Sequence, residues 1–125
     1  MKPIALIVDD SVTNRYLLAF CLRTHGWEVA EAENGLRAIE LATARPPQLV
    51  LLDLHMPHMD GFETATRLRA LPGMAQVPII AVTANVAPTT RSLALRSGFR
   101  AFLTKPVDPD LLWAEIQRQL NPPAP

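Results

Sequence analysis

The sequence predicts an α/β domain: a parallel sheet with helices on both faces, joined by right-handed crossovers. Three observations lead there. Short apolar runs alternate with helix-spaced segments five times along 125 residues. Four of those runs stop at polar groups, namely Asp9-Asp10, Asp53, Thr83 and Lys105. Prolines and glycines punctuate the joints, at Gly26, Pro46-Pro47, Pro57, Pro72-Gly73, Pro78 and Gly98.

The first run, Ile4-Ala5-Leu6-Ile7-Val8, is too short for a helix and ends in acid. Ser11 can cap the helix that follows, with Asn14 as a weaker box partner than Glu or Gln. Leu17, Leu18, Cys21 and Leu22 fall at helical spacing along one face. Gly26 after His25 supplies a left-handed cap. Residues 27–32 alternate with period two, which predicts an edge strand with one wetter face. Asn34-Gly35 signals the next cap, and the second helix runs through Ala44. Pro46-Pro47 separates it from Leu49-Val50-Leu51-Leu52-Asp53, which reads as a strand buried on both faces. Pro57 cannot continue a sheet ladder, so Asp53 lies at or near the carboxyl end of that strand.

Asp60 can cap the third helix, with Glu63 as its box partner, and Leu71-Pro72-Gly73 ends it. Residues 79–82 form the fourth strand, followed by Thr83-Ala84-Asn85. Pro88 is tolerated only near a helix start, so the fourth helix begins there, and Gly98 stops it. Its first turn carries few charges and is expected to be irregular. Residues 99–103 form the fifth strand, which leads into Thr104-Lys105-Pro106. Asp108 caps the fifth helix, Pro109 takes its first position, and Leu111, Leu112, Ile116 and Leu120 line it. The domain therefore spans 1–120, and the proline-rich residues 121–125 read as a tail or the start of a linker.

Twelve acids balance twelve bases, so no long-range field favours nucleic acid or anionic lipid. The single cysteine, Cys21, allows no internal disulfide and no cysteine-based metal site, and it reads as core. No apolar run approaches the ~18 residues of a membrane span. The amino terminus lacks signal-peptide anatomy. These features point to the cytoplasm, with no direct contact to membrane or nucleic acid.

In a parallel sheet all strands point one way, so the four polar strand ends lie along one edge. Three of the six aspartates and one of only two lysines meet there. Clustered carboxylates raise one another's pKa unless cations offset them. Lys105 is one such cation. Mg²⁺, a hard ion suited to carboxylates, waters and phosphate oxygens, is the other. With both present, Asp53 can stay ionised and serve as a carboxylate nucleophile toward a phosphoryl group. Thr83 offers a hydroxyl to a phosphoryl oxygen. Each residue also has a plainer explanation. Asp9-Asp10 can be a helix-capping turn, Thr83 a strand end, Phe102 core packing, and His55 with His58 mere polar surface. Leu93, Leu95 and Phe99 read as ordinary core before they read as a docking patch.

Taken together, these fragments resemble a receiver domain of two-component response regulators. The resemblance covers Ile4 to about Leu120. It rests on Asp9-Asp10, Leu51-Leu52-Asp53, Met56-Pro57, Met59-Asp60-Gly61, Thr83-Ala84 and Lys105-Pro106, in that order and spacing. It implies a flavodoxin-like (βα)5 fold with strand order 2-1-3-4-5. It implies that Asp53 accepts a phosphoryl group from a histidine kinase or a histidine phosphotransfer domain. Mg²⁺ would be held by Asp10 directly, by Asp9 through water, by Asp53 and by the backbone carbonyl of His55. Lys105 would pair with the acyl phosphate, and its bond to Pro106 would be cis. Thr83 and Phe102 would form a switch pair, the ring turning inward and repacking the surface of the fourth helix, fifth strand and fifth helix where an output partner docks. His55 and Asn85 would tune phosphate lifetime. Such a domain is a phosphoacceptor switch with self-phosphotransfer and slow autodephosphorylation, not an enzyme.

Three other readings compete. A phosphatase using an aspartyl-phosphate intermediate wants a second acid two residues after the nucleophile, and His55 stands there. A nucleotide binder wants a glycine-rich loop after the first strand, and Asp9-Asp10-Ser11 stands there. A receiver-like scaffold that works unphosphorylated has no need of the intact acid and lysine set.

Overall fold

The computed structural model describes residues 2–85 and 87–120. Five strands, β1 (Ile4–Val8), β2 (Glu28–Ala32), β3 (Leu49–Leu52), β4 (Ile79–Thr83) and β5 (Ala101–Thr104), alternate with five helices. The helices are α1 (Val12–Thr24), α2 (Gly35–Ala44), α3 (Gly61–Arg69), α4 (Pro88–Arg96) and α5 (Pro109–Leu120). All strand pairs are parallel, in the order β2-β1-β3-β4-β5. The predicted 27–32 strand is therefore an edge, and the Asp53 run is the centre.

Alternation along each strand feeds two cores. Leu6, Val8, Val50, Leu52, Ile79 and Ala81 point to one face, where Ala38 of α2, Leu68 of α3 and Ala94 of α4 pack on them. Ala5, Ile7, Leu49, Leu51, Ile80 and Val82 point to the other, against Leu18 and Leu22 of α1 and Leu112 and Ile116 of α5. The near-continuous apolar character of β1, β3 and β4 follows from this double burial. His25 at the end of α1 stacks on Trp113 of α5, with ring centroids 3.8 Å apart, and ties the two helices together.

The caps form as their chemistry dictates. Ser11 accepts from Asn14 N–H, Asn34 from Arg37 N–H and Asp60 from Glu63 N–H. Asp108 Oδ1 accepts from Asp110 N–H at 2.8 Å. The helical faces deviate from expectation. Leu17 and Leu111 are 59% and 66% exposed. The buried stripe of α1 is Leu18, Ala19, Cys21 and Leu22, so Ala19 is covered and Leu17 is not. In α5 the buried pair is Leu112 and Ile116, and Trp113 packs partly buried on the flank away from Leu111.

The fifth strand starts at Ala101 and not at 99, since Phe99 N–H is engaged by the Ala94 carbonyl at 3.1 Å in the turn after α4. Helix α3 ends at Arg69, before Leu71-Pro72-Gly73. The first turn of α4 is regular. Pro88 occupies an early helical position, and Arg91 N–H reaches the Ala87 carbonyl at 3.1 Å. Residues 121–125, read from the sequence as a tail or linker, lie outside the described residues.

Candidate functional site

The register brings the chemistry together. Val8 pairs with Leu52, so the residues one step further, Asp9 and Asp53, stand side by side past the ends of β1 and β3. Backbone bonds hold both acids: Asp53 N–H donates to the Val8 carbonyl at 2.9 Å, and Asp9 N–H to the Ala32 carbonyl at 3.1 Å. On the far side Lys105 N–H donates to the Thr83 carbonyl at 2.9 Å, which sets the lysine beside β4. The peptide bond between Lys105 and Pro106 is cis.

Asp9 and Asp53 are buried, at 1% and 5% exposure, while Asp10 faces solvent. Lys105 Nζ donates to Asp53 Oδ2 at 2.9 Å and lies 2.7 Å from Asp9 Oδ2. The other oxygens are taken by backbone: Ser11 N–H on Asp9 Oδ1 at 2.9 Å and His55 N–H on Asp53 Oδ1 at 3.1 Å. Burial pushes the Asp9 carboxyl above its usual range, although Lys105 and the Ser11 N–H pull the other way. Burial also works against the charged Lys105, but its contacts with Asp53 and Asp9 outweigh that and hold its pKa above the ordinary value.

One oxygen from each of Asp9, Asp10 and Asp53 falls within 4.8 Å of the others. Asp9 Oδ2 is buried and has no directed hydrogen bond; its close approach to the ammonium is a charge contact out of line for one. Three carboxylates against one ammonium suit a small hard dication. The residues present therefore fit Mg²⁺.

Around this pocket, Thr83 is fully buried, and its Oγ1 accepts weakly from Asn85 N–H at 3.4 Å. Phe102 is buried too, with the Arg91 guanidinium 5.6 Å from its ring centroid. The ring proposed as a switch therefore packs in the core beneath Arg91 in this structure. His55 Nε2 and Asn85 Nδ2 meet at 2.9 Å, joining the loops after β3 and β4. His58 is exposed with φ 71°, and neither histidine belongs to a metal-ligand group among the described residues.

Sequence reasoning missed three parts. The His55–Asn85 bond spans thirty positions and has no local signal. Gly61 donates to the Leu54 carbonyl at 3.0 Å, and a Cβ there would meet the Asp53 carbonyl oxygen at 2.5 Å. Arg15 donates to the Asp9 carbonyl at 2.6 Å; its only mark in the sequence is being the sole base between Lys2 and Arg23.

A doubly wound sheet with three acids and a lysine at its carboxyl edge defines a flavodoxin-like signalling domain. Residues 5–117 match the response regulator receiver domain family, and the chain belongs to that family. It is a receiver domain of two-component phosphorelay signalling, a phosphoacceptor switch by class. It is 39% identical to protein PilH of Pseudomonas aeruginosa over 115 residues, covering 92% of this chain and 95% of that one. It is 34% identical to the sensor histidine kinase CheAY of Helicobacter pylori, covering 94% of this chain but 15% of the kinase. Among solved structures, the chemotaxis protein CheY4 of Vibrio cholerae superposes with a TM-score of 0.89 at 29% identity, over 94% of this chain and 98% of that one. The receiver domain of the Pseudomonas aeruginosa kinase PA1611, solved with a magnesium ion in its active-site cleft, gives 0.86 at 29% identity, over 96% and 98%. Among the described residues, no helix is long and apolar enough to cross a membrane.

Proposed function

We propose that Asp53 is the phosphoacceptor of this receiver. The observation that carries it is the Lys105 ammonium lodged between the buried carboxylates of Asp53 and Asp9. A carboxylate oxygen of Asp53 attacks the phosphorus of a phosphohistidine through a remaining lone pair, a P–O bond forms, and the P–N bond breaks with its electron pair leaving on the imidazole. No base is required, since the nucleophile is already a carboxylate. Lys105 neutralises charge on the transferring oxygens and then pairs with the acyl phosphate. Asp9, Asp10, Asp53 and the His55 backbone carbonyl would hold Mg²⁺. When bound, the ion supplies electrostatic stabilisation to the phosphoryl oxygens.

The donor is a histidine kinase or a histidine phosphotransfer domain. Thr83 turns its hydroxyl to the new phosphoryl group, and Phe102 with Arg91 transmits the shift to α4. His55 and Asn85, bonded over the pocket, set how fast water reaches the acyl phosphate. The output partner docks on α4, β5 and α5. Exposed Leu93, Leu95 and Leu111, at 46%, 45% and 66%, support that surface, and they correct the expectation that the first two are core. The domain works in the cytoplasm.

The test is intact-mass measurement after incubation with phosphoramidate or acetyl phosphate and Mg²⁺. The wild type should gain one phosphoryl group and Asp53→Asn none. A wild type that stays unmodified where other receivers are labelled overturns the proposal.

A further inference from the structure

Arg15 is oddly placed for a base beside an acidic pocket. Its side chain is only 13% exposed, yet its guanidinium bonds no pocket carboxylate. One nitrogen donates to the backbone carbonyl of Asp9 at 2.6 Å. Its Nε lies 3.5 Å from Glu31 Oε1 on β2. The Asp9 carbonyl belongs to the peptide unit that joins Asp9 to Asp10. That unit is planar, so fixing its oxygen fixes the direction in which the chain leaves Asp9 and enters Asp10. The amide on the other side of Asp9 is already held, by the Ala32 carbonyl at 3.1 Å. Two adjacent residues of β2 thus grip Asp9 from both sides, Ala32 directly and Glu31 through Arg15.

We infer that Arg15 is a positioning residue that orients the Asp9–Asp10 pair for a divalent cation, with Glu31 as its anchor. The inference rests on the acidic pocket being a Mg²⁺ site. For Arg15, positioning and charge predict opposite signs. A cation near the pocket repels Mg²⁺, so by charge alone its removal tightens binding. By positioning, its removal weakens binding, since groups that orient metal ligands are typically worth 10- to 100-fold in affinity.

The experiment titrates Mg²⁺ into the full chain by calorimetry at neutral pH and fixed ionic strength, with thermal unfolding followed alongside. Arg15→Met should raise the Kd about tenfold. Arg15→Lys should fall between it and the wild type, because one ammonium lacks the planar fork that spans both partners. Glu31→Gln should weaken binding several-fold and add nothing to Arg15→Met. Arg15→Lys keeps the positive charge, so it carries the test should Arg15→Met fail to fold. Unchanged or tighter Mg²⁺ binding in these variants, with or without a lower Tm, overturns the inference about Arg15 alone. A wild type that binds no Mg²⁺ overturns the reading of the pocket itself.

Discussion

Asp9 holds its carboxyl inside the molecule, at 1% exposure. Its charge is disfavoured by burial more than Lys105 and the Ser11 N–H favour it, so its folded pKa is raised above 3.8. For a raised pKa the sign is fixed. The folded state binds the proton more tightly than the unfolded one, so this group's contribution is greatest below 3.8 and is lost as pH rises through the folded value. In metal-free buffer at neutral pH, Asp9→Asn should therefore raise the Tm, and the gain should vanish as pH falls below 3.8. Thermal melts across that pH range check it. Lys105, also raised, has its contribution present up to 10.5 and loses it as pH rises from there through its folded value, so neutral pH leaves it intact. The aspartates and the lysine could be picked out of the sequence because they are scarce and end apolar runs. The His55–Asn85 bond and the Arg15 contact could not, since both depend on side chains reaching across loops that periodicity does not describe.

Each element carries its own constraint. Helix α3 starts against the strand end that presents Asp53, and Gly61 makes this possible. A methyl group there would sit 2.5 Å from the Asp53 carbonyl oxygen and 2.7 Å from Leu54 Cα, both backbone atoms that cannot swing aside. Gly61→Ala should cost about 1–3 kcal/mol in chemical denaturation. It should also slow labelling of Asp53, because relief requires moving α3 or the strand end. The strands and caps were legible in the sequence, as apolar runs and Ser, Asn and Asp caps depend on local chemistry. Which leucine of a helix faces the sheet was less so. Leu17 and Leu111 satisfy helical spacing, yet Ala19 is buried and Trp113 partly buried while both leucines are exposed. The end of β5 was predictable and its start was not, because the turn after α4 claims Phe99.

At the level of the whole molecule, two cores grip a five-stranded sheet unequally. Helix α4 buries only Ala94 among its described residues, whereas α1 and α3 each bury four residues. Little buried apolar area means a low cost of local opening. Phosphorylation should therefore change amide hydrogen exchange in α4 more than in α1 or α3, which exchange with mass readout would show directly. A uniform change over all helices would count against α4 as the moving part.

Strand β2 has a neighbour on one side only, and its outer flank is screened by charge. Glu28 is clasped by Arg45 at 3.1 Å, and Glu31 draws in Arg23 at 3.7 Å. Unpaired peptide groups along such a flank are a template for stacking onto another chain. With zero formal net charge, the protein has little colloidal repulsion to keep its copies apart. Replacing both guards, Glu28→Val with Glu31→Val, should turn a clear solution turbid at concentrations the parent tolerates, as light scattering would record. A double variant that stays clear would show that the ion pairs along β2 do not hold copies of the chain apart.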